Sequence, residues 1–126
     1  MRIKSNFIEA NELHTYNKIQ RMPRWEEANL ARKYVQLAVD AWGEPEPIYT
    51  PCRFALEVVV RDDVKQPPDT DASFWIAKRV LDAAVLARII PNDTFDTVDR
   101  IVLEAPMRLL DKSHSAKVCY RGVLTA

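Results

Sequence analysis

Two stretches of helical periodicity, each stopped by proline, constrain this chain most. From Trp25 to Trp42, the apolar positions Ala28, Ala31, Val35, Ala38 and Trp42 recur at helical spacing. Pro23 suits the first turn of that helix, where its missing N–H is no loss. Gly43 supplies a stop, and Pro45 and Pro47 forbid continuation. The second stretch predicts a helix over about 72–89, with Phe74, Ala77, Leu81, Ala84 and Val85 as its apolar stripe and Pro91 as its end. Asp69, Thr70 and Asp71 are each acceptable N-caps for it. Between the helices, residues 52–60 alternate Cys52, Phe54, Leu56, Val58 and Val60, the pattern of a strand. Pro67 and Pro68 hold the following segment, 61–71, as a loop.

Residues 2–9 read as a weak strand, 10–22 as irregular and polar, and 97–105 and 116–124 as two further strands. The expected order is β-α-β-α-β-β. The expected fold is a single α+β domain with a mixed four-stranded sheet and two main helices. The last two strands are expected to pair antiparallel, and the helical crossovers to give parallel or next-neighbour pairs.

At 126 residues the chain suits one domain with a core of its own. No apolar run reaches the roughly 18 residues of a membrane span, and the first residues lack the apolar stretch of a secretory signal, so a cytoplasmic protein is expected. Cys52 and Cys119 stand alone within strand-like segments and read as reduced core thiols. The 18 basic and 18 acidic residues cancel, but residues 1–33 lean basic and 40–71 lean acidic. On composition alone, ordinary solvated charge is the favoured account of that asymmetry. His14 and His114 are isolated, and no Gly-rich phosphate loop or nucleophile–His pairing is present, which leaves small-molecule enzymes of those classes without support.

The residues able to do chemistry cluster around the second helix. Asp69 and Asp71 form an Asp-x-Asp at its start, and Asp93 follows its end. A helix over 72–89 is about 27 Å long, so acids at its two ends share a site only if the chain folds back after Pro91 or a partner subunit intervenes. Two capping carboxylates and a turn aspartate would explain the same residues. Asp71, Trp75, Lys78 and Asp82 line one stripe. The Lys78–Asp82 pair reads either as an exposed salt bridge or as a lysine held over an acidic cluster, ready for phosphate.

Together, Asp69 and Asp71, the helical Lys78-x-x-x-Asp82, and Asp93 eleven residues beyond Asp82 resemble the core motif of the RusA family of Holliday-junction resolvases. A strand before the acidic pair, two strands after Asp93, and an irregular N-terminal stretch with Asn11 leading to a long helix fit the same layout. The resemblance implies a Mg²⁺-dependent (or Mn²⁺-dependent) endodeoxyribonuclease in which Asp69, Asp71 and Asp93 hold metal. Lys78 would neutralise phosphate charge or orient the attacking water. It implies a homodimer, since paired nicks in a two-fold junction call for two symmetric sites, and a bacterial or bacteriophage setting. Lys18, Arg21, Arg24, Lys65 and Arg79 are candidate DNA contacts.

The chain departs from the motif in four places. Ala72 stands where the family carries Asn, three extra residues separate Asp71 from Lys78, Asn92 replaces an acid, and Asp96 takes an apolar position. The insertion adds nearly one turn, so the lysine keeps the same helix face and moves about 4–5 Å along the axis. These departures motivate an alternative: a DNA-binding or phage-interaction protein with weakened activity on the same fold.

Overall fold

The computed structural model describes residues 1–11 and 16–126; residues 12–15, with His14 and part of the 10–22 stretch, lie outside it. The element order is β1 (Arg2–Lys4), β2 (Ile8–Glu9), α1 (Tyr16–Gln20), α2 (Arg24–Trp42), β3 (Cys52–Arg61), α3 (Thr70–Leu86), β4 (Val98–Leu103), β5 (Met107–Leu110) and β6 (Val118–Thr125). The strands form one mixed sheet of order β1-β6-β3-β4, with β2 also on β6 and β5 also on β3. The α+β class and mixed sheet hold, but the strand count and order need correcting. Six strands occupy four positions in the sheet. The expected strand over 2–9 breaks at Ser5–Phe7 into β1 and β2, both antiparallel to β6. The unexpected β5 continues the line of β4 along β3. A third, short helix, α1, joins the two long ones.

The expected antiparallel pairing of the last two strands is also wrong. β4 runs parallel to β3, and β6 runs antiparallel on the other side of β3. The physical reason lies in burial. β6 is buried at six of its eight positions, which suits an interior strand with cover on both sides. β4 is buried only at Val98 and fits the rim.

Alternation in β3 sets the core. Phe54, Leu56, Val58 and Val60 face the helices and lie opposite Leu124, Gly122, Tyr120 and Val118 of β6. The other face carries Glu57 opposite Arg121, joined by an ion pair at 3.0 Å. α2 and α3 pack together on the core face. Tyr34 meets Trp75 edge-on at 6.1 Å, and the Trp42 indole N–H donates to the Val80 carbonyl at 3.0 Å. Gly122 permits this approach, because a Cβ there would fall 2.7 Å from both Trp42 and Val80.

α3 begins two residues earlier and ends three residues sooner than its apolar stripe suggests. Asp69 takes the N-cap, accepting from the Ala72 N–H at 2.8 Å. At the other end Arg88 adopts a left-handed φ of 59°, turning Ile89 and Ile90 into the core. The Ile89 carbonyl then accepts from Ile48 N–H at 2.7 Å, tying the helix exit to the approach to β3. Cys52 and Cys119 are both buried and unpaired, and burial raises both thiol pKa values. No helix among the described residues is long and apolar enough to cross a membrane.

Candidate functional site

The first turns of α3 decide where the acids point. Asp69, as N-cap, has one carboxylate oxygen committed to the Ala72 amide. Asp71 sits in the first turn, where the positive end of the helix dipole favours a carboxylate. It is exposed, and it lines a cavity of about 350 Å³ with Glu27, Phe74, Trp75, Lys78 and Arg79. The stripe read from helical spacing is thus one wall of a concave site, and the first turn of α2 forms the opposite wall through Glu27. The Trp75 indole N–H donates to Glu27 Oε1 at 3.4 Å, and the Arg79 guanidinium lies 4.7 Å from the centre of the Trp75 ring. Trp75 therefore positions an acid on one side and a base on the other.

The chain does fold back after Pro91. Thr94 and Thr97 close that return around Asn92, whose side-chain oxygen accepts from both hydroxyls at 2.7 Å and from the Thr94 N–H at 3.2 Å. An amide oxygen can organise this turn without adding charge next to Asp93, which gives the departure at Asn92 a structural role. Asp93 then meets Lys78, Oδ2 to Nζ at 2.5 Å, while Asp82 reaches the same nitrogen at 3.2 Å. The lysine beside it holds the Asp93 carboxyl below the usual carboxylate range. Asp93 in turn raises the Lys78 ammonium, with Asp82 adding to the effect against the opposing pull of partial burial. Lys78 is accordingly a fixed cation at neutral pH.

Of the five motif residues, then, Lys78 is in direct contact with Asp82 and Asp93. Lys78 and Asp71 line one cavity, about two helical turns or 10 Å apart along α3. Asp69 lies just before that turn as its cap. Among the described residues no three His, Cys, Asp or Glu side chains converge as metal ligands. The donors available are Asp71 and Glu27 across the cavity, with Lys78 and Arg79 as cations on the same walls. This set does not form a closed cage. It does fit a hard cation such as Mg²⁺ that keeps most of its waters and arrives with a phosphate, held by one or two carboxylates.

Glu27 was not singled out by sequence reasoning. It stands 48 residues from Trp75, and only its place as a first-turn acid of α2 marked it. The candidate DNA contacts separate into groups. Arg79 belongs to the cavity above, and Lys18 and Lys65 line a different one of about 520 Å³. Arg21 and Arg24 are exposed at the start of α2 and line neither of these two cavities. No protein-family model matches the chain, and no curated protein compared with it matches.

Proposed function

We propose that this protein is a metal-dependent endodeoxyribonuclease that nicks branched DNA, four-way junctions among them, as a homodimer in a bacterial cell or one infected by a bacteriophage. The observation that carries this reading is the ion pair between Lys78 and Asp93. It joins the distal acid of the motif, across 15 residues of sequence, to the helix that also carries Asp71.

The roles follow from the chemistry of the side chains. Asp71 and Glu27 offer carboxylate oxygens across the cavity, and Asp69 fixes the direction of the helix that presents Asp71. Lys78 stays protonated, so it cannot take a proton from water; it is suited to stabilising charge on a phosphodiester. Asp93 and Asp82 hold that ammonium in place. Arg79 lies on the Trp75 face, within the same cavity, and can receive a second phosphate oxygen. A Mg²⁺ or Mn²⁺ bound with the substrate would supply an activated water and neutralise the leaving oxygen.

The alternative of a DNA-binding or phage-interaction protein with weakened activity draws support from Asp69, whose carboxylate is partly spent as a cap. Incubation with synthetic four-way junctions in Mg²⁺ or Mn²⁺ separates the two. The nuclease reading expects paired symmetric nicks that Asp71→Asn abolishes while junction binding survives. Binding with no cleavage in either metal would retire it in favour of the alternative.

A further inference from the structure

The cavity of about 520 Å³ at the far end of β3 gathers three lysines from three separate parts of the chain. Lys18 comes from α1, Lys65 from the loop after β3, and Lys117 from the entrance to β6. All three are exposed. Asp63 is the one acid among the lining residues, and it is already spent on Arg61, Oδ1 to Nε at 2.6 Å and Oδ2 to Nη2 at 3.2 Å. No comparable partner neutralises the three ammonium groups among the described residues. Like charges drawn to one concavity repel, so the site favours an anion.

The backbone beneath them is fixed by contacts that have no other evident purpose. Arg108 donates from Nη1 to the Val64 carbonyl at 2.6 Å and to the Asp62 carbonyl at 3.3 Å, pinning the loop that carries Lys65. Arg61, which lines the cleft, donates to the His114 carbonyl at 2.9 Å. The Asn11 side-chain oxygen accepts from the Lys117 N–H at 2.7 Å and the Val118 N–H at 3.2 Å, setting the position from which Lys117 projects. Three unpaired cations thus stand on a braced frame.

We infer that this cleft binds the sugar-phosphate backbone of a DNA arm leading to the site on α3. The inference rests on the reading of the protein as a DNA nuclease. Lys65 precedes Asp71 by six residues, so the two lie within about 20 Å even along a fully extended chain. A single strand advances about 3.4 Å per phosphate, so a backbone seated in the cleft reaches the acids within about six nucleotides. Lysines read phosphate as point charges, which gives affinity with no sequence preference.

The test measures binding of the full-length protein to a synthetic four-way junction across a salt series, without divalent metal, and cleavage separately in Mg²⁺. Each lysine that contacts a phosphate contributes about 0.9 to the slope of log K against log salt. Lys65→Ala and Lys117→Ala should each lower that slope by about that amount, and the double variant by about twice it. Arg100→Ala, on β4 beside Arg53 near the other end of β3, should leave it unchanged. Circular dichroism checks that the exposed substitutions preserve the fold. Wild-type slopes in both lysine variants, or an equal drop in Arg100→Ala, overturn the cleft while leaving the nuclease reading intact. Lower slopes with no cleavage in wild type overturn the nuclease reading and leave the cleft. Absence of any DNA binding overturns both.

Discussion

Replacing Lys78 with Met tests whether one ammonium fixes the far acid against α3. Met keeps most of the stem's length and apolar surface and removes only the charge. The wild-type nitrogen lies 2.5 Å from Asp93 and 3.2 Å from Asp82. Water reaches the site, since the Lys78 and Asp93 side chains are 47% and 34% exposed. Screening therefore holds each contact to about 0.2–1 kcal/mol. The variant also leaves two carboxylates facing one spot with no cation between them. At about 5 Å, and with an effective dielectric between about 20 and 80, their repulsion is roughly 1–3 kcal/mol before the side chains rotate apart. Rotation relieves most of this, so the expected loss at pH 7 and low salt is about 1–2 kcal/mol.

The pH dependence fixes the cause. Asp93 titrates below its ordinary value, so its share of the stability is present above the unfolded carboxylate pKa near 3.9 and is lost as pH falls through the lower folded value. Lys78 titrates above its ordinary value, so its share is full below about pH 10.4 and is lost as pH rises through the higher folded value. Urea unfolding of wild type and Lys78→Met, followed by tryptophan fluorescence, should differ most between about pH 5 and pH 9. The difference should shrink as pH falls below the unfolded carboxylate value and through the lower folded one, and should fall in about 1 M salt, where the Debye length is about 3 Å. Equal destabilisation at neutral and acid pH would mean that packing of the stem, not the ion pair, is what the lysine supplies, and the electrostatic account would fail.

Two further outcomes follow from the same coordinates. Asp69→Ser should keep the helix cap and cost little stability, whereas Asp69→Ala should lose about 1 kcal/mol in urea unfolding; loss of junction cleavage in the Ser variant would show that the carboxylate does more than cap. Gly122→Ala should cost about 1–3 kcal/mol, because the new methyl meets Trp42 and Val80 at 2.7 Å, and Val80→Ala should relieve part of that cost in a double-mutant cycle. Simple additivity there would refute the close packing inferred between β6 and the helices.

What could be read from the sequence was whatever depends on local period. The stripes of α2 and α3, the alternation of β3 and the stop at Gly43 are all written within a few residues of where they act, whereas α3 ends at Leu86, before the expected stop at Pro91. The left-handed Arg88 is not, because it is imposed by the need to bury Ile89 and Ile90. Nor could β5 be read: Met107, Arg108 and Leu109 are all exposed, so no apolar period marks the strand, and pairing with β3 alone defines it. Strand adjacency failed for a related reason. The stretches 97–105 and 116–124 read as consecutive strands, but β5 lies between β4 and β6, and the chain carries these two to opposite sides of β3. At the site, the Lys78–Asp82 pair was visible as helical spacing. The contacts of Lys78 with Asp93, of Trp75 with Glu27, and of Lys117 with the lysine cleft all needed the tertiary fold.

The position of β6 also shapes how the molecule must assemble. β1, β2 and β3 all take their antiparallel partner from this one strand, which follows all three in the chain. While the chain is being synthesised at roughly 5–20 residues per second, the apolar edge of β3 waits without its mate until residues 118–125 leave the ribosome. The N-terminal strands wait longest of all. Closure of the sheet is therefore a late, long-range event that brings Arg2 to Thr125, and a nascent chain halted before it would expose a sticky edge to its neighbours.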